Sequence, residues 1–421
     1  MKEYMPRLID NKLDLYLKIF GGVSIVGPKW IGKTRTSTEK AKSSFSFVRK
    51  KGKKDPLNLA RLNSSIVFVG DKPHLIDEWQ LMPEVWDMVR ADIDERQEKG
   101  IYILTGSTVP PFLKKNSPIH HSGAGRIATL NMSTMSLFET KDSSGEVSIS
   151  SLFENATVQG NLRDISLTEI IHYIVRGGWP ENLDTPDSSI IPKAYLKRLF
   201  EVELDMLNVD VDKTKLRRLM RSLARNVSTV CSIKTLKRDT AGPNYPDGLD
   251  DDTVSRYLEI LSDFYLIYEE EVFCPDFRTT QRFKTGVKRH FEDTSLACAL
   301  IGANEKNLMN DLEYLGFLFE SLVTHDLRIY MESLGGYVSH YQAYPNDEVD
   351  AVLTLDDGRF GFVEIKLGWE EVIDRAAANL LRISSKLEEK PSFLAVISGM
   401  SSIPYRRADG VYVLPLTSLR P

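Results

Sequence analysis

Residues 22–42 read GVSIVGPKWIGKTRTSTEKAK, and this stretch decides the fold of the first part of the chain. The apolar run at its start predicts a buried strand, and the residues after Thr34 are compatible with a helix. Between them, residues 27–34 match the pattern G-x-x-x-x-G-K-[ST]. Glycines in this pattern let backbone N–H groups wrap a phosphate, and the start of the following helix favours negative charge. The stretch therefore predicts a phosphate site on an α/β domain with a parallel sheet. A glycine turn that carries Lys and Thr by chance is the weaker alternative.

The residues of this loop have predicted parts in binding ATP and Mg²⁺. Lys33 would neutralise the β- and γ-phosphate oxygens, and the Thr34 hydroxyl would be a ligand of Mg²⁺. We expect the following residues to contact the nucleotide or its metal: Gly27, Pro28, Lys29, Trp30, Ile31, Gly32, Lys33, Thr34, Arg35, Asp77 and Ser107.

Two acids follow a short apolar run in residues 73–80, PHLIDEWQ. At the end of a parallel strand, Asp77 would hold the Mg²⁺ ion, and Glu78 would polarise the attacking water. Taken alone, the pair is equally compatible with an exposed acidic turn. Together with the glycine loop, it indicates hydrolysis of a nucleoside triphosphate.

Two further segments carry candidates for the same reaction. In residues 100–111, GIYILTGSTVPP, Thr105 or Ser107 would sense the γ-phosphate from a neighbouring strand, or would form an ordinary strand-to-loop turn. Arg126 lies beside glycines and would act as an arginine finger, in cis or from a neighbouring subunit of a homo-oligomer. A surface arginine is the alternative.

Residues 347–368, DEVDAVLTLDDGRFGFVEIKLG, predict two strands around a tight turn. Asp350 and Glu364 would ligate Mg²⁺, because this ion prefers oxygen ligands. Lys366 shares a strand face with Glu364 and would orient or deprotonate the attacking water. Glu320, on a preceding helix, would add an acid. A charged surface hairpin is the alternative, but the alternating apolar residues of FGFVEIK predict a strand buried on both faces.

Between these two parts, the sequence predicts three helices and a two-stranded ribbon, as in a winged helix. Residues 213–238 contain nine Lys or Arg and no acid. The third helix starts with three aspartates, which do not suit a groove lined by phosphates. Contact with DNA is therefore expected from other residues, unless the module serves packing or oligomerisation. These residues are Arg217, Arg218, Arg221 and Arg225 on the first helix and Arg278, Arg282, Lys284, Lys288 and Arg289 in the wing.

In this order, five motifs resemble a group of prokaryotic AAA-like P-loop ATPases whose chains end in a domain of unknown function similar to restriction endonucleases. The motifs are GPKWIGKT (27–34), LIDEWQ (75–80), ILTGS (103–107), GRIATLNMSTMSLFE (125–139) and RGGWP (176–180). The resemblance implies an ATPase core, then a winged helix and then a nuclease-like end, which we place at 1–140, 206–300 and 301–421. Polar residues followed by a helical spacing of apolar residues predict a connector and helical lid at 141–205. It implies roles for residues 27–34, Asp77, Glu78, Arg126 and the C-terminal acids.

Composition narrows the class of protein. The 421 residues have a net charge of −5, so the chain as a whole lacks the basic character of a nucleic-acid-binding protein. No run is apolar enough for a membrane span, and three distant cysteines fit a reducing cytoplasm. We expect a cytoplasmic ATPase whose nucleotide state controls DNA binding or Mg²⁺-dependent DNA cleavage. The alternatives are a nucleotide-dependent switch with an inert nuclease-like domain and, less favoured, an interaction scaffold.

Overall fold

The computed structural model divides the chain into two compact units. The first comprises Met1–Thr134 with Asp263–Tyr265, and the second comprises Met135–Ser262 with Leu266–Pro421. The three segments predicted after residue 140 lie within the second unit, except for Asp263–Tyr265. The structure describes residues 3–49, 54–107, 123–206, 211–243, 246–275, 286–343 and 347–421.

The first unit is built on a five-stranded parallel sheet of strand order β2-β3-β4-β1-β5. The strands are β1 Gly22–Val26, β2 Ser43–Ser46, β3 His74–Asp77, β4 Tyr102–Thr105 and β5 Ile127–Asn131. The helices are α1 Ile9–Ile19, α2 Lys33–Lys40, α3 Pro56–Leu62 and α4 Val85–Arg96, with short 3₁₀ helices at Ser64–Phe68 and Trp79–Leu81. Every residue of β1, β3 and β4 is buried, as expected of central strands in a parallel sheet. The predicted α/β class with a parallel sheet is confirmed.

Helices dominate the first half of the second unit. They are α5 Ile149–Leu152, α6 Leu167–Arg176, α7 Ile190–Arg198, a π-helical turn Leu199–Glu203, α8 Leu204–Met206, α9 Lys213–Arg225, α10 Ile233–Asp239, α11 Asp251–Asp263, α12 Thr294–Ile301 and α13 Glu305–Leu308. The antiparallel ribbon pairs β7 Ile267–Glu270 with β8 Lys288–Phe291. The order α9, α10, α11, β7, β8 is the order that a winged helix requires, and the winged-helix assignment itself stays a prediction.

A six-stranded sheet of order β13-β14-β12-β11-β10-β9 forms the C-terminal part. Its strands are β9 Gly336–Ala343, β10 Asp347–Leu355, β11 Phe360–Lys366, β12 Phe393–Ser398, β13 Tyr405–Arg406 and β14 Tyr412–Pro415, and its helices are α14 Leu312–Ser333 and α15 Glu370–Lys386. Its central strand β11 pairs antiparallel with β10 and parallel with β12, and it is buried from Phe360 to Ile365. Helix α14 packs on β9, β10 and β11, and α15 packs on β11 and β12. The predicted burial of β11 is therefore confirmed.

The remaining small elements complete the second unit: β6 Val147–Ser148 pairs with β15 Leu419–Arg420, and 3₁₀ helices lie at Pro180–Asn182 and Leu416–Ser418. Across the described ranges, no helix combines the length and the apolar character needed to cross a membrane.

Candidate functional site

The glycine loop between β1 and α2 has a backbone that requires its glycines. Gly27 has a φ of 144° and Gly32 a φ of 100°, values that favour glycine. A Cβ atom at Gly27 would lie 2.1 Å from the carbonyl oxygen of Met132, so no other residue fits there without displacing the backbone. The turn ends where α2 begins at Lys33. The predicted strand–loop–helix geometry is therefore present.

Lys33 is enclosed by this loop. Its side chain is buried, and Nζ donates hydrogen bonds to the carbonyl oxygens of Gly27 at 2.8 Å and Pro28 at 2.6 Å. Burial lowers the pKa of Lys33 to about 8, because desolvation disfavours the ammonium form. A phosphate in the loop would give this ammonium an anionic partner in place of two carbonyls.

Asp77, at the end of β3, accepts hydrogen bonds from three hydroxyl groups. Thr34 Oγ1 donates to Oδ1 at 2.8 Å, and Thr105 Oγ1 donates to the same atom at 2.7 Å. Ser46 Oγ, at the end of β2, donates to Oδ2 at 2.8 Å. The carboxylate and the Thr34 hydroxyl thus lie together as an oxygen donor set of the kind that Mg²⁺ prefers. Thr105 is thus a hydrogen-bond partner of Asp77, and a role as phosphate sensor stays a prediction for Thr105 or Ser107.

Glu78 and Ser107 are linked through Gln80. Gln80 Nε2 donates to Glu78 Oε2 and, at 3.4 Å, to Ser107 Oγ. Glu78 has a φ of 57°, in the left-handed region that non-glycine residues adopt rarely and often at functional sites. The sequence reading missed Gln80 and Ser46. Gln80 was visible only as the polar residue two positions after Glu78, and Ser46 gave no signal.

Three other residues predicted to contact the nucleotide, Trp30, Ile31 and Arg35, differ in exposure and in their contacts. Ile31 is buried, and its carbonyl oxygen accepts a 2.9 Å hydrogen bond from Arg7, which also donates to the carbonyl oxygen of Ser133 at 2.8 Å. Arg35 forms an ion pair with Glu39 at 2.7 Å. Trp30 is 39% exposed, so its indole is accessible to a ligand.

Arg126 lies at the wrong edge of the sheet for a finger in cis. Its carbonyl oxygen accepts a hydrogen bond from the N–H of Gly22, the first residue of β1, whereas the glycine loop follows the last residue of that strand. The length of β1 separates the two edges by about 13 Å at roughly 3.3 Å per residue. Arg126 Nε donates to Asp94 Oδ1 at 2.8 Å. The expectation of a finger in cis is therefore wrong for this arrangement, and a role in trans stays a prediction.

The C-terminal hairpin brings its predicted residues together. The register of β10 and β11 pairs Ala351 with Val363, so Asp350 and Glu364 stand at the next opposed positions. Lys366 Nζ lies 2.6 Å from Asp350 Oδ2 and 2.7 Å from Glu364 Oε2. The three charged groups therefore form one ion cluster at the centre of the sheet.

Two neighbours satisfy further atoms of these carboxylates. The backbone N–H of Ile365 donates to Asp350 Oδ2 at 2.7 Å, and Asn379 Nδ2 of α15 donates to Glu364 Oε1 at 2.8 Å. Asn379 was not predicted from the sequence, because its role depends on how α15 lies on the sheet.

Lys288 and Glu320 extend the cluster. Lys288 Nζ lies 2.9 Å from Glu320 Oε1 and 3.3 Å from Glu348 Oε1, and its side chain is only 2% exposed. Lys288 was expected to contact DNA from the wing, and this expectation is wrong because the side chain is buried and ion-paired. Arg289 Nε, from the same expectation, donates to Glu269 at 2.8 Å. The other wing candidates, Arg278, Arg282 and Lys284, lie outside the described residues.

Burial perturbs the acids of this cluster. Burial and the charge of Asp350 raise the pKa of Glu320 to about 8 and that of Glu364 to about 7. Burial also opposes ionisation of Asp350, but Lys366 and Lys288 outweigh it and lower the pKa of Asp350. Asp350 is thus the carboxylate that stays ionised between the two lysines.

The geometry of the cluster does not fit the metal ligation expected of Asp350 and Glu364. The ammonium of Lys366 occupies the place between the two carboxylates that a cation would need. Within the described ranges, no three or more His, Cys, Asp or Glu side chains are grouped as metal ligands. The arrangement supplies its own counter-ion.

Comparisons with known proteins agree with the geometry of the first unit. Residues 21–141 match the family described as AAA domain. This part of the chain is therefore similar to AAA domains, in agreement with its glycine loop and parallel sheet. Residues 167–307 and 315–419 match two families described as domains of unknown function, DUF8612 and DUF4143. No curated protein matches the chain.

Among solved structures, the chain is similar to the Walker-type ATPase PABY2304 of Pyrococcus abyssi, with 14% identity, a TM-score of 0.41 and coverage of 69% of this chain and 94% of that one. The ORC2 protein of Aeropyrum pernix, in ADPNP–ADP complexes, has 13% identity, a TM-score of 0.35 and coverage of 74% and 97%. AMPPCP-bound DnaA of Aquifex aeolicus has 13% identity, a TM-score of 0.26 and coverage of 61% and 86%.

Proposed function

We propose that the AAA-like domain binds ATP with Mg²⁺ and hydrolyses it. The observation that carries this proposal is the hydrogen bond between Thr34 and Asp77 beside the buried Lys33. It joins the hydroxyl of the glycine loop to the carboxylate of a strand that is not adjacent to β1, so the two are brought together by the fold. This is the arrangement in which a metal held by both would meet a phosphate held by the loop.

Each residue has a proposed task. The glycine loop and Lys33 hold and neutralise the phosphates, and Thr34 and Asp77 would hold the Mg²⁺ ion, which supplies further positive charge at the phosphoryl group. Glu78 accepts a proton from, or orients, the attacking water. Gln80 fixes the Glu78 carboxylate, and Ser107 lies on the other side of Gln80.

The ion cluster of the second unit supports the alternative of a switch with an inert nuclease-like domain. A cation at Asp350 and Glu364 would first have to displace Lys366 from both carboxylates. The nucleotide state would then regulate binding of DNA by the second unit without cleavage. The basic segment 213–238 supports the choice of DNA as the partner.

Mg²⁺-dependent cleavage of DNA remains the second candidate. One observation favours it: Lys366 contacts both Asp350 on β10 and Glu364 on β11, so the three residue types expected of a nuclease-like site are brought together by the hairpin. Cleavage assays with Mg²⁺ or Mn²⁺ decide between the two, with single-stranded, duplex and branched DNA in the presence and absence of ATP. Nicking by the wild type that disappears in Asp350→Ala and Lys366→Ala would establish the nuclease. Equal nicking by all variants would point to a contaminant.

The ATPase proposal is tested with Lys33→Ala. We expect this variant to lose ATP turnover while its circular dichroism spectrum stays that of the wild type, because the hydrogen bonds of Lys33 Nζ to Gly27 and Pro28 lie within its own loop. Unchanged turnover would overturn the assignment.

A further inference from the structure

A cavity of about 780 Å³, open to solvent, lies beside α9 in the second unit. Its lining includes Arg218, Arg221 and Arg225 of α9, together with Ile301 at the end of α12 and Tyr314 in the first turn of α14. The arginines stand at positions i, i+3 and i+7, a spacing that aligns them along one helix face. Neither the proposed ATP site nor the ion cluster uses this surface.

Two of these arginines are positioned by backbone carbonyls. Arg218 donates to the carbonyl oxygens of Thr240 at 2.9 Å and Ala241 at 2.8 Å. The exposed side chain of Arg221 donates through Nε to the carbonyl oxygen of Leu300 at 3.3 Å. A guanidinium carries five N–H donors in a fixed plane, so the terminal nitrogens of Arg221 can serve a ligand while its Nε is anchored to Leu300.

The two acids in the cavity wall are already engaged. Asp239 Oδ2 accepts hydrogen bonds from Arg225 at 2.6 Å and Asn226 at 2.8 Å. Asp311 Oδ1 accepts from the backbone N–H of Tyr314 at 3.1 Å and so caps α14. The lining therefore holds three guanidinium groups and two carboxylates, one of which is paired with Arg225. The other six basic residues of 213–238 add to the positive potential nearby.

Arg217, the fourth arginine of α9 predicted to contact DNA, packs on an aromatic ring outside the cavity. The guanidinium of Arg217 lies 4.5 Å from the centre of the Phe200 ring, as in a cation–π contact, and Arg217 is not part of the cavity wall. The fold therefore separates one packing arginine from three that line the cavity.

The chemistry of the lining defines the ligand. Planar guanidinium groups match phosphate oxygens in pairs. A cavity of this volume is in the range of organic ligands and exceeds what an inorganic anion needs. The ring of Tyr314 and the side chain of Ile301 offer surface on which a base can pack. We infer that this cavity binds the phosphate of a nucleotide, either within a DNA strand or free in solution. The inference deepens the proposed contact with DNA and rests on it.

Fluorescence anisotropy of labelled single strands with a 5′-phosphate or a 5′-hydroxyl, titrated with the full-length protein, tests this inference. We expect Arg221→Gln to weaken binding about tenfold or more, because a charge-assisted hydrogen bond is lost, and to reduce the salt dependence by about one ion. Arg221→Lys keeps the charge without the planar fork and should lie between. The control is Lys234→Gln, an exposed charge on α10 outside the cavity, which should change affinity less than twofold.

Competition distinguishes the two sources of phosphate. Thymidine monophosphate lacks the β- and γ-phosphates for which the glycine loop is proposed. Its displacement of the strand, weakened in Arg221→Gln, identifies a free nucleotide as a ligand. Resistance combined with a loss of affinity in Arg221→Gln identifies a phosphate of the strand, and a preference for the 5′-phosphate then places it at the strand end. Equal losses of affinity in Arg221→Gln and Lys234→Gln would overturn the inference that the cavity binds phosphate, while the proposed contact with DNA would still hold. If the wild type binds none of the probes, both fail, while ATP turnover is measured independently.

Discussion

Thr34 Oγ1 donates a 2.8 Å hydrogen bond to Asp77 Oδ1, although 43 positions separate the two residues in the chain. The contact exists because β1 and β3 end at the same edge of the parallel sheet, with β4 between them. Thr105, at the end of β4, donates to the same carboxylate oxygen. A single acid on β3 thereby connects the glycine loop to β4 and, through Ser46, to β2.

The buried ammonium of Lys33 predicts a pH-dependent cost to the unliganded protein. Folding lowers its pKa from 10.5 to about 8, which corresponds to about 3 kcal/mol. Below pH 8 the folded protein carries this cost in full. Between pH 8 and 10.5 the unfolded chain binds more protons than the folded one, so stability rises with pH.

Lys33→Met should therefore be more stable than the wild type at pH 7 by up to about 3 kcal/mol, and the difference should shrink as the pH approaches 10.5. Differential scanning calorimetry of the nucleotide-free proteins from pH 7 to 10 measures this, with exposed Lys99→Met as the matched control. If the control gains as much stability as Lys33→Met, or if the gain in Lys33→Met does not change with pH, the buried Lys33 ammonium is not the cause.

The pairing of Arg126 with Asp94 predicts that Arg126 takes no part in hydrolysis within its own subunit. Arg126→Ala should keep turnover within about twofold of the wild type at low protein concentration, because Arg126 lies at the edge of the sheet opposite to the glycine loop and its exposed ion pair with Asp94 is weak. Mixing Arg126→Ala with Lys33→Ala tests action in trans. Recovery of turnover above the sum of the separate variants would assign the finger to a neighbouring subunit, and strictly additive rates would exclude it.

The ion cluster predicts a large energetic effect of one lysine. Lys366→Met leaves Asp350 and Glu364 buried without their shared cation, so we expect a loss of about 3–5 kcal/mol in unfolding free energy. Lys386→Met is a matched control, because Lys386 pairs with Asp347 at 2.6 Å while its own side chain is half exposed. That variant should lose less than about 1 kcal/mol. Urea denaturation followed by tryptophan fluorescence compares them, and similar losses would show that the cluster is not closed as described.

The glycine loop was predictable from the sequence because its signal is local. The spacing of Gly27, Gly32 and Lys33 carries the motif, and the apolar run before it predicts the strand. Asp77 was recognised for the same reason, as an acid at a strand end. The hydrogen bond between Ser46 and Asp77 could not be predicted, because it requires β2 to lie beside β3 and strand order cannot be read from the sequence.

Lys288 illustrates the opposite limit of sequence reasoning. It stands beside Arg289 and His290, so the sequence suggests a basic, exposed ribbon. The structure buries its side chain against Glu320, which lies 32 positions further along the chain. A buried charge is stable only when it is ion-paired or hydrogen-bonded. Here the pair forms because α14, which carries Glu320, packs close to Lys288 of β8. The register of β10 and β11, in turn, brings Lys366 to the two carboxylates expected to bind a metal.

The claim that this chain hydrolyses ATP at the glycine loop is tested most directly by phosphate release from the wild type and from Glu78→Gln under saturating Mg²⁺ and ATP. We predict turnover by the wild type, and in Glu78→Gln a loss of about 100-fold or more with ATP binding retained, because the variant removes the proposed base and keeps the loop. No turnover by the wild type, or turnover by Glu78→Gln at the wild-type rate, would contradict the account.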